Sequence, residues 1–428
     1  MQTTVSEKWQ QLFANPVPWA AVTFTVVVST GLTTGRPLFA DSVDYRLMAM
    51  GMSKNVMSSI SGRILHPAAV RLVSWLTKVG VDQAFVIVAL ISLAVLLCNL
   101  ALILRLVTGY GSLTLPLLAT PVVIHSMFRL YYCQDLFYAA LLSGMFVALL
   151  KGQKVLATGL LLPLSLTRES TILLTIVWAF ILFQESSILL SLVSIVLTGV
   201  GLACSRSLAA TGVPNVHHVS ELLFLALKPP FDLLRNLFGI ILVPSEMKGK
   251  PGFTCTAKII LDLPEVLRYG GTSQVGVCRP QATEPIRNAT LLLSLFGIGP
   301  ACAWRIFSEG GRGTLAQTPY WLRLATLYGL LALFIAPGVS FWLVRDIGYS
   351  WPLFWIAIPA LVVKRGMITS YVVALLLVEN LVACWIPYAL DSRWHEQQAS
   401  VMLALATAFA MQIVALYTLR KRTGVAAS

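Results

Sequence analysis

Apolar residues occur along the chain in long unbroken runs, without the alternation of a half-buried strand or the three-to-four spacing of a helix on a soluble core. One membrane crossing needs about 20 such residues, and fewer where a helix is enclosed by neighbours. On that measure the runs predict helices over 17–35, 83–106, 112–128, 135–150, 154–166, 170–184, 186–204, 288–305, 322–344, 351–363, 368–390 and 398–419. The expectation is an all-α polytopic membrane protein with about twelve transmembrane helices, within a range of about ten to thirteen. Two polar interruptions stand out, 36–82 and 205–287. Each contains an amphipathic stretch expected to lie along the membrane surface: 65–79, with Arg71 and Lys78 on its polar side, and 230–243, with Asp232 and Arg235 three residues apart. Residues 1–290 read as a core holding both loops, and 288–428 as carboxyl-terminal transmembrane helices.

Composition supports the same solvent. The chain is 57% hydrophobic and 11% charged, against about 25% charged residues in an ordinary soluble domain. A net charge of +13 would suggest nucleic acid in a soluble protein, but here the basic residues sit in short loops between apolar runs and no nucleic-acid motif is present. Those loops fix an orientation, because cytoplasmic segments collect lysine and arginine. With the amino terminus inside, the inner segments hold Lys8, Arg105, Lys151, Lys154, Arg305, Arg312, Arg323, Lys364, Arg365, Arg420, Lys421 and Arg422, opposed by Glu7, Glu185 and Glu309. Both termini are then cytoplasmic and both long loops lie outside. The first run lacks a small-residue cleavage site and reads as a retained helix. With nothing retention-like at the carboxyl terminus, a bacterial inner membrane is favoured over an endoplasmic reticulum. Five of the seven cysteines fall in or beside apolar runs, whereas Cys255 and Cys278 share the second outer loop and could close it with a disulfide in an oxidising compartment.

Candidate chemistry gathers on the outer side. The first loop opens with Asp41 and Asp44, two carboxylates three residues apart, each able to act as a general base or a metal ligand as well as a helix cap. Asp135, preceded by Arg129 and Tyr132, lies where the third expected helix hands over to the fourth. Arg168 and Glu169 interrupt an apolar stretch, where a charge in hydrocarbon costs several kcal/mol unless it marks a turn or a polar cavity. Arg63 and His66 could hold a phosphate or meet lipid headgroups. Of the lesser candidates, His217 and His218 are adjacent and would not face one ligand on a helix, Glu379 sits within a span, and Asn288-Ala289-Thr290 matches a glycosylation acceptor. No Walker loop, dinucleotide fingerprint or zinc-helix pattern is present.

Over roughly its first 290 residues the chain resembles the GT-C class of integral membrane glycosyltransferases. The resemblance is carried by Asp41-Ser-Val-Asp44-Tyr45 with Ala49-Met-Gly51, by Arg63-Ile-Leu-His66-Pro67 leading into a surface helix, by Asp135, by Leu166-Thr-Arg168-Glu169-Ser, and by a large outer loop after the seventh helix. It implies a polyprenyl-phosphate-linked sugar as donor and a glycan, lipid or protein hydroxyl as acceptor, with membrane lipids around them. It carries the catalytic role onto Asp41 or Asp44, an assisting role onto Asp135, and substrate binding onto Arg63, His66, Arg168 and Glu169. The chain lacks the class's adjacent Asp-Glu or Asp-x-Asp pair, so no metal ligand is named and a divalent ion as cofactor stays open. Two other functions fit an outer-facing polytopic chain: a transporter or lipid flippase, which would show broken helices and charges at mid-membrane, and an outer-face glycan polymerase or ligase using Arg206 or His217.

Overall fold

A computed structural model of the chain describes residues 14–33, 40–52, 56, 58–109, 128, 130–208, 283–309, 318–339, 343–364 and 398–420. Short stretches at 8, 11–12, 229, 233, 236–237, 242–244, 259–262, 274–277, 378–380, 382–383 and 385–386 are described as well. The described residues are mostly helical.

Helix α1 (Pro16–Thr33) is followed by α2 (Ala40–Ala49) and α3 (Leu65–Thr77) of the first long polar loop, then by α4 (Val81–Thr108). The ends of α4 are set locally. The Gly80 N–H donates to Gln83 Oε1 at 3.0 Å, and Gly109, at φ 76°, donates to the Arg105 carbonyl at 3.0 Å. Its 28 residues reach about 42 Å at 1.5 Å per residue, more than a bilayer's hydrocarbon needs. Helix α5 (Asp135–Leu150) packs along α4, and Asn99 Nδ2 donates to Ser143 Oγ across the interface at 3.0 Å. Helices α6 (Lys154–Gly159), α7 (Leu161–Thr167), α8 (Thr171–Gln184) and α9 (Ile188–Leu208) follow, with α7 and α8 both packed against α9.

Helix α9 shows which solvent the fold is made for. It buries Ser191, Ser194, Thr198, Gly201 and Ser205 and exposes Ile188, Leu189, Leu192, Ile195, Val196 and Val200. Thr198 hydrogen-bonds Thr175 of α8 at 2.7 Å, and Ser191 Oγ donates to the Ala179 carbonyl at 3.0 Å. Small and polar side chains bring helices together while large aliphatic ones face out, the reverse of a water-soluble helix and the expected pattern where lipid covers the outside.

Beyond the second loop lie α10 (Thr283–Ser294), α11 (Gly299–Glu309), α12 (Tyr320–Val339), α13 (Leu343–Ile347), a 3-10 turn (Gly348–Ser350), a π turn (Leu353–Ala357), α14 (Ile358–Lys364) and α15 (Gln398–Arg420). The apolar core runs through α4, α5, α8, α12 and the π turn, where Phe146, Trp178, Tyr328 and Trp351 are fully buried. Gly329 of α12 lies so close to Leu353 that any Cβ would collide with it.

Five described helices are long and apolar enough to cross a membrane, or six if one bent pair counts as a single span. The stretches at 16–29, 135–150, 154–167 and 171–184 form shorter apolar helices. Three expectations are corrected. The span expected over 288–305 is two helices, α10 and α11, bent by 74°. The tenth expected helix begins earlier, at Arg345, as an irregular succession of α, 3-10 and π turns. Within the second long polar loop, where only helix was expected, strands β1 (Leu242–Pro244), β2 (Ile259–Asp262) and β3 (Gln274–Val277) form an antiparallel sheet in the order β1-β3-β2, with Ile259 opposite Val277. The expected helix over 65–79 corresponds to α3, which buries His66, Pro67 and Val70 and exposes Leu72, Trp75 and Leu76. The stretch 112–127, most of 230–243 and of 368–390, and the Cys255–Cys278 pair lie outside the described residues.

Candidate functional site

The candidate residues meet at one end of the bundle because several helices begin or end there. Asp135 is the first residue of α5, Arg168 ends α7 in an extended conformation with Glu169 next to it, and α13 supplies Arg345 and Asp346. Asp135 is the centre. Its Oδ1 accepts from Arg168 Nη1 at 2.6 Å and from the Tyr349 hydroxyl, and its Oδ2 accepts from Arg345 Nε at 2.7 Å. Arg168 also donates to Tyr349, reaches Asp346 Oδ1 through Nη2 at 3.0 Å, and stacks its guanidinium 4.1 Å from the Tyr349 ring centroid. The Asp135 side chain is only 2% exposed, and those of Arg168 and Arg345 are 10% and 14% exposed.

A second group adjoins the first through the Arg168-Glu169 peptide. Arg63 donates to both Glu169 carboxylate oxygens, with Nε to Oε2 at 3.0 Å, and its Nη1 donates to the Tyr45 hydroxyl at 3.0 Å. Partial desolvation would raise the Glu169 carboxyl, whose side chain is 53% exposed; the charge of Arg63, then its hydrogen bond and the charge of Arg168, outweigh that and hold it well below the usual carboxylate range. Burial pushes the Tyr45 phenol up against the opposing pull of Arg63, so it stays protonated. Nearby, Arg46 grips Asp82 in a fork at 2.7 and 3.0 Å, and Tyr132 donates to Asp82 at 3.1 Å.

His66 lies in an aromatic pocket with Phe85 and Phe137, ring centroids 5.5 Å away in each case, and Tyr45 at 6.3 Å. Burial lowers its pKa to about 4, the Asp135 charge pulling weakly the other way, so the imidazole is neutral at physiological pH. Several buried polar atoms here lack a hydrogen-bond partner among the described residues: His66 Nδ1, Arg168 Nε, and both amide atoms of the wholly buried Gln134. Buried polar groups are normally paired, and each such atom costs about 1–3 kcal/mol.

The structure thus brings Arg63, His66, Asp135, Arg168 and Glu169 together. Asp44 is buried on α2 beside Tyr45. Asp41 falls in the first turn of the same helix, and its side chain is outside the described residues. Asp135, with its oxygens committed to two guanidinium groups and a phenol, is built to hold arginines in place and is poorly suited to accept a proton. Sequence reasoning missed Arg345, Asp346 and Tyr349. Their signal is the charged pair Arg345-Asp346 between two apolar runs, beyond the first 290 residues that carry the resemblance. The group around Asp135 therefore draws on both the expected core and the carboxyl-terminal part.

Other candidates fall elsewhere. Asn288 is buried and donates to the Asn236 carbonyl at 2.6 Å, which removes it as a presented glycosylation acceptor. Arg206 is exposed at the end of α9, and Arg129, His217 and His218 lie outside the described residues. Among the described residues no group of three or more His, Cys, Asp or Glu side chains could hold a metal ion. Comparison with family models, with curated proteins and with solved structures gave no match.

Proposed function

We propose that this chain is an inverting glycosyltransferase of about twelve spans, with both termini cytoplasmic, that moves a sugar from a polyprenyl-phosphate donor to an acceptor hydroxyl at the outer face. The observation that supports this reading is the convergence of Arg63, Arg168 and Arg345, with unpaired buried donors beside them, at the end of the bundle that carries the helix of Asp41 and Asp44. A guanidinium fork suits the oxygens of a phosphate. As the bond from the sugar's anomeric carbon to the phosphate oxygen breaks, negative charge grows on the phosphate. A cation already fixed by Asp135 and Tyr349 stabilises that charge without reorganising. Asp44 or Asp41 takes the proton of the attacking hydroxyl, and the leaving phosphate needs no acid. A divalent ion would add to the same charge stabilisation, but no step depends on it.

The test is transfer by purified protein in nanodiscs from a panel of radiolabelled polyprenyl-phosphate sugars. One donor should be consumed. Asp44→Asn or Asp41→Asn should lower turnover by about 10²- to 10⁴-fold, the usual contribution of a general base, and Arg168→Lys by about 10²-fold with the protein still folded. If no donor is consumed, or if both aspartate variants turn over as wild type does, the reading fails. The competing transporter reading is favoured by one observation, the break between α10 and α11 beside the buried Glu379; uptake of solute or lipid by proteoliposomes would select it.

A further inference from the structure

The bend between α10 and α11 is a built feature. Gly297 adopts φ 57°, and a Cβ there would collide with Asn380. The backbone groups that the bend frees are met by two amides from distant helices. Asn380 Oδ1 accepts from the Ile298 N–H at 2.9 Å, and Gln412 Oε1 accepts from the Ala301 N–H at 2.9 Å. Gln412 Nε2 donates to the carbonyls of Leu293 and Gly297 at 2.7 and 2.8 Å. A broken helix inside a membrane needs such partners, since no water is there to replace them.

Next to Asn380 stands Glu379, 6% exposed. Its Oε1 lies 2.6 Å from Thr418 Oγ1 of α15, which also lies 3.1 Å from the Val414 carbonyl. The hydroxyl has one proton, which goes to Glu379 when that side chain is an ionised carboxylate and is free for the Val414 carbonyl when it is not. If the carboxyl carries the proton, Glu379 donates to Thr418, and Thr418 donates to Val414 in the back-bond common for threonine in membrane helices. Among the described residues no lysine, arginine or histidine pairs with Glu379, its Oε2 has no hydrogen-bond partner, and the titratable group facing it from α11 is the Cys302 thiol.

We propose that Glu379 is a proton-binding site coupled to the α10–α11 break: the carboxyl is neutral while α11 is packed, and loss of its proton to water loosens the bend. An unpaired carboxylate among α11, α15 and its own helix would be costly there, and letting water reach it through the bend is the nearest relief. The inference stands apart from the glycosyl-transfer reading and is tested without any sugar donor.

The experiment is infrared difference spectroscopy of the intact protein in lipid, wild type minus Glu379→Gln, across pH 5 to 10. Expected is a protonated carboxylic-acid C=O band at pH 7 that disappears at higher pH, and that shifts in frequency in Thr418→Val, where the acid loses its acceptor. Alongside it, maleimide modification of Cys302, read on its peptide by mass spectrometry, should rise severalfold more with pH in wild type than in Glu379→Gln, where only the thiol's own ionisation acts. Absence of the acid band at pH 7 overturns the site. A band unmoved by Thr418→Val overturns the hydrogen-bond chain, and equal Cys302 profiles in the two proteins overturn the coupling to the break.

Discussion

The two ends of the bundle each carry an ion cluster, strung on the same helices, and they are built to different standards. Helix α5 runs from Asp135 to the Leu149 carbonyl, which accepts from the Tyr320 hydroxyl at 2.8 Å. Helix α8 runs from the Arg168-Glu169 turn to Glu185, and α12 runs from Arg323 towards Arg345. At the basic end, assigned as inner, Glu185 takes Lys154 on one oxygen at 2.6 Å and Arg323 on the other, and Lys154 sits 4.6 Å over the Tyr320 ring. Glu185 and Lys154 are 25% and 27% exposed, so water shares the work. At the other end Asp135 is dry, holds two arginines and a tyrosine, and has the unpaired amide of Gln134 as its chain neighbour. A clip between helix ends needs only what the first cluster has. Both ends leave a guanidinium Nε without a partner, Arg323 at the first and Arg168 at the second; what the second adds is a nearly dry carboxylate and the two unpartnered amide atoms of the buried Gln134, and the proposed ligand site rests on that excess.

Removing the central carboxylate breaks the comparison open most widely. Asp135→Ala would leave Arg168 and Arg345 facing each other with little water, and breaking a buried pair in this way costs about 3–5 kcal/mol. Thermal unfolding in detergent should show a large fall in midpoint. A variant within a few tenths of a kcal/mol of wild type would mean that the outer cluster is as wet as the inner one.

The next effect is a pH dependence contributed by His66 of the first long loop. His66 titrates at about 4 when folded against its usual 6.5, so between those values the unfolded chain holds a proton that the folded one does not. Stability is therefore full well above pH 6.5 and falls as pH drops towards 4, by about 1.5 kcal/mol from pH 6.5 to 5. His66→Phe should flatten that slope in denaturation at fixed temperature, with any remaining slope coming from other groups. An unchanged slope would show that His66 reaches water.

Much of this was legible because the penalties were local. The 28 residues of α4, bounded by Gly80 and Gly109, announce a span in any reading of hydropathy. Arg168 and Glu169 announce a polar place because charge in hydrocarbon is costly wherever its partners come from. What could not be read depended on distance along the chain. Arg345 and Tyr349 become part of the site only when α12 returns to the outer end, some 210 residues after Asp135. The α10–α11 bend hides in an apolar run whose Gly297-Ile298-Gly299-Pro300 was its single local sign, because the groups that sustain it, Asn380 and Gln412, lie on other helices. Hydropathy located α9 but not its faces, since lipid and protein interior are equally apolar and only the positions of serine, threonine and glycine separate them.

The smallest effect is the sharpest control. Glu185→Gln removes the carboxylate of the inner cluster while leaving a side chain of the same shape that still accepts from Arg323. Lys154 and Arg323 then lose an ion pair, but Lys154 is 27% exposed and turns to water. A pair of this kind contributes about 0–1 kcal/mol and is screened by salt. The midpoint should fall by a degree or two at low ionic strength and converge on wild type as salt is raised, with transfer activity unchanged. The opposite result, a salt-independent loss matching that of Asp135→Ala, would place both clusters in the same dielectric. The contrast from which the ligand site is argued would then be gone, because two equally dry clusters of opposite ends would both be read as fasteners.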